Sequence, residues 1–166
     1  MVTTYINKAL TAVFGSRNER LIKSYRKQVE AINALEPEIR KLSDAEMKAR
    51  ADALRQRLAE KPNDDLAVLP EAFALMREAM DRQIGLRSAL NPALNFDPAV
   101  LPAAAQELFL NCKFKCVGEH DWRFVEIPVA LYDAIRAVVP ADRPPFRARP
   151  FDVQLIGGIV LYEGKI

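Results

Sequence analysis

Glycine is scarce in this 166-residue chain, six in all, and nowhere does the sequence contain GxxxxGK[ST] or GxGxxG. Those absences exclude, within the chain, a phosphate-cradling loop and a dinucleotide fingerprint. Gly157-Gly158 stands alone, and Lys165 after Gly164 lacks both the earlier glycine and the following Ser/Thr. Nothing here is therefore expected to bind magnesium or activate water, and no residue is assigned a catalytic role. There is one histidine, and no Ser or Cys lies in a recognisable nucleophile motif to pair with His120. Hydrolase triads are thus unsupported. The two cysteines and that histidine, Cys112, Cys116 and His120, fall at CxxxCxxxH spacing. Structural zinc sites use four ligands and tighter cysteine pairs, so reduced, partly buried thiols are expected and no metal. A disulfide is not expected in a reducing compartment. No apolar run approaches the roughly 18 residues of a spanning helix. The N-terminus also lacks the basic, apolar and small-residue order of a signal peptide. A cytoplasmic location is expected.

What is present suits a folded domain: 18.7 kDa with 50% hydrophobic residues. Net charge is only +2, but residues 1–30 carry six Lys/Arg (Lys8, Arg17, Arg20, Lys23, Arg26, Lys27) against Glu19 and Glu30. That excess could draw this end to an anionic surface such as acidic lipid, or could be an ordinary solvated helix face. Lys113-Phe114-Lys115 and Trp122-Arg123-Phe124 mix cations with aromatics in the manner of single-strand stacking platforms. With eight basic and nine acidic residues over 88–166, no nucleic-acid partner is expected.

Hydrophobic spacing predicts helix through the first half. Val2, Tyr5, Ile6, Ala9, Leu10, Val13 and Phe14 form one apolar stripe that Gly15-Ser16 interrupts. Leu21, Tyr25, Val29, Ile32 and Leu35 extend a second amphipathic helix to near Ala34, and Pro37 should break it. Ser43 with Glu46 reads as a capping box opening a helix whose Met47, Ala51, Leu54 and Leu58 face inward. Pro70 suits the first position of another helix, 71 to about 82.

At Ser88 the composition changes. Three prolines and four aromatics precede it, eight and nine follow, and both cysteines, His120 and Trp122 lie in 88–149. Here a short helix is expected over 103–110, with a hairpin pairing 114–117 and 122–127 around Gly118-Glu119-His120-Asp121. Pro128 should start a helix through Val129, Leu131, Ile135 and Val138, followed by a Pro/Arg-rich linker. Such a unit disturbs its host little if its ends lie close together.

Gln154 is the strongest candidate for chemistry, because a primary amide sets a donor beside an acceptor and so matches the N7 and N6 edge of adenine. It lies in Phe151-Asp152-Val153-Gln154-Leu155-Ile156-Gly157-Gly158. Upstream stand Phe14-Gly15-Ser16-Arg17-Asn18-Glu19-Arg20, Ile32-Asn33-Ala34-Leu35-Glu36-Pro37-Glu38-Ile39, Leu42-Ser43-Asp44, Leu69-Pro70-Glu71-Ala72-Phe73-Ala74 and Gly85-Leu86-Arg87. In this order the blocks resemble SecA, the family of bacterial preprotein translocase motors, over about 1–87 and 150–166. The Phe151–Gly158 block, with Gln154, resembles that family's adenine-reading Q motif.

The resemblance implies the helical portion of a P-loop (DEAD-like) α/β motor domain ending before its phosphate loop, and with the hairpin read from alternation in 88–149 the fold expected is mainly α with a small α+β insert. The implied divisions are an N-terminal helix 1–16, a helical start of the nucleotide-binding domain 17–87, an insert 88–149, and a Q-motif segment 150–166. Gln154, Phe151, Leu86 and Arg87 would hold adenine, with Ala148 and Arg149 an alternative to the Leu86 and Arg87 pair. ATP and Mg2+ would serve the complete protein, while this chain alone would not hydrolyse ATP. Implied partners are the SecYEG channel, preproteins, acidic phospholipids and a possible homodimer, at the cytoplasmic side of the inner membrane. The other reading is a non-catalytic interaction module that pairs with a full-length motor or with the membrane.

Overall fold

The computed structural model describes residues 17–165, with the side chains of Arg17 and Asn18 left aside. The stripe over 2–14 lies outside the described residues. Six α-helices carry the fold: α1 Arg17–Ile39, α2 Asp44–Glu60, α3 Asp65–Met80, α4 Ala103–Phe114, α5 Val129–Val138 and α6 Asp152–Tyr162. A π turn, Asp81–Gly85, and a 3-10 helix, Leu86–Leu90, continue α3 into the second half.

Tyr25, Val29, Ile32 and Ile39 recur at steps of four, three and seven residues along one face of α1, and each is buried. They pack against Leu69, Ala74 and Leu75 of α3, Met47 of α2, and Leu155 and Ile159 of α6 to make a first core. Pro37 does not break α1, which runs two residues beyond it. Proline removes one donor, but burial of Ile39 and the Arg40 N–H to Glu36 C=O bond, 2.9 Å, hold the last turn. Likewise α3 begins at Asp65, before Pro70, because Val68 and Leu69 bury their side chains in its first turns. The Ser43 capping box is present: the Ser43 N–H donates to Glu46 at 2.7 Å, and the Glu46 N–H donates to Ser43 Oγ at 3.2 Å. Gly158 lets α6 approach α3, since a Cβ there would lie 2.8 Å from the Phe73 ring.

A second core gathers Leu86, Ala89, Leu90, Leu101, Ala105, Phe109, Cys112, Ile127, Leu131, Tyr132, Ile135 and Val139. Helices are present where 103–110 and Pro128 predicted them, the first extending to Phe114. The expected hairpin is not formed, and there is no strand among the described residues, so the segment is helical rather than α+β. Phe114, Val117 and Phe124, all within the two segments expected to pair, are 89%, 92% and 85% exposed. The Asp121 carboxylate accepts from the N–H groups of Val117 and Gly118, at 3.1 and 2.7 Å, and Arg87 donates to the carbonyls of Trp122 and Val125. Side chains have taken the backbone groups that a ladder needs.

The ends of 88–149 lie together. A Cβ on Gly85 would stand 2.5 Å from the Ala148 nitrogen, and Ser88 Oγ donates to the Pro145 carbonyl at 2.9 Å. Between the two cores runs a band of buried charge. The Arg82 guanidinium donates to Glu78, Asp44 and the carbonyls of Leu42 and Arg40, and lies 4.9 Å from the Tyr132 ring centre. Arg147 grips Asp81 with two bonds of 2.9 Å. Arg87 and the Tyr132 hydroxyl both donate to Asp44, at 3.1 and 3.0 Å. Burial pushes the Tyr132 hydroxyl well above its ordinary pKa.

Candidate functional site

The segment that carries Gln154 is positioned by one buried arginine. Arg77 of α3 is 1% exposed; its Nε donates to the Pro150 carbonyl at 2.7 Å and its Nη2 to Asp152 at 2.6 Å. Its Nη1 donates to Asn33 of α1 at 2.5 Å and lies 3.2 Å from Glu36. These bonds fix the entry to α6, and the Arg77 hydrogen bond holds the Asp152 carboxyl below its usual pKa. The Phe151 N–H then donates to Gln154 Oε1 at 2.8 Å, so the glutamine side chain caps its own helix. At the far end of α6, Tyr162 donates to Asp65, and Tyr25 donates to Glu163 at 2.7 Å. Both carboxyls sit below their ordinary values, Asp65 through the Tyr162 bond and Glu163 through Lys165 and then Tyr25.

Phe151 and Gln154 are exposed and lie on one cavity of about 420 Å3, shared with Met80, Asp142, Pro144, Arg147, Ala148, Arg149 and Pro150. That volume falls within the range of small-ligand clefts. Gln154 Oε1 keeps a second lone pair and Nε2 keeps both hydrogens, so the amide can still meet a donor and an acceptor on one flat edge. Leu86 and Arg87 do not line this cavity. Leu86 is fully buried in the second core, and Arg87 is committed to Asp44, Tyr132 and two carbonyls. The pair beside Phe151 and Gln154 is Ala148 and Arg149. Arg77 was missed as a positioning residue; its one signal was a cation on the inward face of α3 with Phe73 and Met80.

The cysteines are elsewhere. Cys112 is buried with its thiol 3.7 Å from the Glu126 carbonyl, and the Cys116 thiol donates to the Cys112 carbonyl at 3.3 Å. Burial raises both thiol pKa values. Among the described residues no three His, Cys, Asp or Glu side chains converge on a point where a metal could sit.

The sequence profile of the SecA DEAD-like domain matches residues 10–93, just over half of the chain. The protein translocase subunit SecA 1 of Nitrosospira multiformis is 52% identical over 82 residues, 49% of this chain and 9% of that protein. SecA of Ralstonia pickettii is 54% identical over 82 residues, again 49% of this chain and 9% of its own. SecA of Methylibium petroleiphilum is 50% identical over 80 residues, 48% and 9%. The chain thus spans about 9% of the length of these relatives, and residues 150–166 lie outside the profile match. No solved structure matches the chain. On the profile match and these identities, the chain belongs to the SecA DEAD-like domain family.

Proposed function

We propose that this chain is the adenine-reading and docking part of an ATP-driven preprotein translocase motor. The observation that carries the adenine half is the cavity that Phe151 and Gln154 line together with Ala148 and Arg149. An aromatic face for the base and an amide for its N6 and N7 edge distinguish adenine from guanine without touching phosphate. The residues present therefore fit the base of ATP. The chain carries no GxxxxGK[ST] loop for the phosphates and Mg2+, which the rest of such a motor would hold.

Preproteins, the SecYEG channel, acidic phospholipids and a second motor subunit are the proposed partners, at the cytoplasmic side of the inner membrane. The relatives' name, protein translocase subunit, supports the first two, and the cationic excess over 1–30 supports the lipid contact. Among the described residues no helix is long and apolar enough to cross a membrane.

Calorimetric titration of the chain with adenosine and guanosine tests the base contact. Adenosine should bind in about the millimolar range and guanosine more weakly, with Gln154→Ala reducing adenosine affinity about tenfold. Equal affinity for both nucleosides would sink the reading. The alternative, a non-catalytic module that pairs with a full-length motor or with the membrane, draws on an apolar groove of about 410 Å3 between α2 and α3, with Met47, Leu54, Leu58 and Met76 on its walls. Co-sedimentation with a full-length motor or vesicles, retained by Gln154→Ala but lost in Leu58→Asp, would favour it.

A further inference from the structure

The cavity that Phe151 and Gln154 line takes much of its wall from the end of the 88–149 segment, where Asp142, Pro144, Arg147, Ala148 and Arg149 all border it. That stretch is anchored on both sides. Arg147 donates to the Val139 carbonyl at 3.0 Å and holds Asp81 with two bonds, and the Pro145 carbonyl accepts from Ser88 Oγ at 2.9 Å. The Arg143 N–H donates to the Pro140 carbonyl at 3.1 Å, which closes a turn around Asp142. Prolines at 140, 144 and 145 restrict φ between these anchors. The backbone of Asp142 is therefore fixed before any ligand arrives, and such preorganisation lowers the cost of binding.

The polar groups around the cavity differ in what they have left to offer. Arg147 is committed to Asp81 and Val139, and Arg149 is paired with Glu36. Gln154 uses one lone pair of Oε1 to cap its own helix and keeps the rest of its amide. Asp142 is exposed and is the one acid among the described residues that border the cavity. Its carboxylate has no hydrogen bond or ion pair with any described residue. An ionised carboxylate only accepts, through two oxygens, so it suits a ligand group with two adjacent donors and repels an anion. On an adenine nucleotide those donors follow by elimination. Gln154 takes the N6 and N7 edge of the base, and the 5′ carbon carries the phosphates. What remains is the 2′ and 3′ hydroxyls, a pair that one carboxylate can accept together.

We propose that Asp142 is a specificity-determining residue of this cavity, accepting hydrogen bonds from the 2′,3′-diol of a ribonucleoside whose base lies against Phe151 and Gln154. This contact rests on the adenine reading of those two residues. Asp142 itself lies beyond the family profile, which ends at residue 93. Selection for the ribose thus belongs to the 88–149 segment and not to the matched helices, and it gives that segment a direct part in binding.

The test is calorimetric titration of the 166-residue chain and of its Asp142→Ala variant with adenosine, 2′,3′-dideoxyadenosine and guanosine. The side chain is exposed and unpaired, so the variant should keep the thermal melt of the parent; Asp142→Asn, the same shape without the charge, carries the test if it does not. In the parent, adenosine should bind about tenfold more tightly than the dideoxynucleoside, as hydrogen bonds to a charged acceptor imply, and in Asp142→Ala the two should bind alike. A parent that binds both alike while still preferring adenosine to guanosine would overturn the diol contact and leave the adenine reading standing. A difference that survives in Asp142→Ala would also overturn it, because another group would then be reading the sugar. So would a variant that loses guanosine affinity instead, since a carboxylate facing the base edge accepts from the amine of guanine. Guanosine bound as tightly as adenosine by the parent, or no adenosine binding at all, would remove the adenine reading and the diol contact with it.

Discussion

The two cores of this protein are built in different ways. The first is made of long helices whose apolar residues recur at regular steps, so that Tyr25, Val29, Ile32 and Ile39 make one wall by periodicity alone. The second takes Leu86, Ala89, Leu90, Leu101, Ile127 and Val139 from 3-10 turns and loops, and Ala105, Phe109, Cys112, Leu131, Tyr132 and Ile135 from α-helices. The family match covers most of the first and little of the second. Between them lies ion-paired arginine rather than shared aliphatic surface. Buried ion pairs bring little net stability over apolar packing, but they are costly to break one partner at a time. The seam therefore fixes how the two halves meet more than it strengthens either.

The largest expected effect breaks that seam. Asp81→Ala would leave Arg147 buried without its two-bond partner, and should cost about 3–5 kcal/mol in urea unfolding. A loss below about 1 kcal/mol would mean that the seam is solvated and the halves are independent. Next come the cores themselves. Ile32→Ala and Leu131→Ala remove fully buried side chains from the first and second core, and each should cost about 2–5 kcal/mol. If the seam couples the cores, each variant lowers a single melting transition. Two separated transitions, with Leu131→Ala moving only one, would make the second half an independent domain.

The smallest effect sharpens the contrast at α6. The carboxyls of Asp65, Asp152 and Glu163 all have depressed pKa values in the folded chain. Their contribution is present above the unfolded carboxylate range of about 4 and is lost as pH falls through the lower folded values. Asp152→Asn should therefore lower stability at pH 7 and flatten its decline as pH falls below about 4, by no more than about 1 kcal/mol, because the Asp152 side chain is 57% exposed. An acid-unfolding curve unchanged by the substitution would show that Arg77 holds α6 through the Pro150 carbonyl instead.

Much of the first core was legible in the sequence because helical periodicity is a local property. The capping box at Ser43 and the inward face led by Met47 follow from residues within two turns of each other. Pro37 and Pro70 misled for the same reason, since their local preference was outweighed by the burial of Ile39, Val68 and Leu69. The hairpin expected over 114–127 rested on alternation alone, and Trp122, Val125 and Ile127 reach the second core without a strand. Asp121 and Arg87, residues remote from the pattern, captured its backbone groups.

That Phe151 and Gln154 line one cavity follows from their spacing, because residues three apart lie on one side of a helix start. The placing of Leu86 and Arg87 could not be read from spacing, since Gly85 brings the chain to Ala148 and Arg149 across 62 intervening residues. The sequence by itself determined helical periodicity, family membership and the scarcity of glycine that leaves no phosphate loop within the chain. Tertiary structure alone decided that Arg40, Arg136, Arg147 and Arg149, distant in the chain, meet around one cavity and pair through shared carboxylates. Charge balance at a point depends on which side chains meet in space, and no count along the chain contains that.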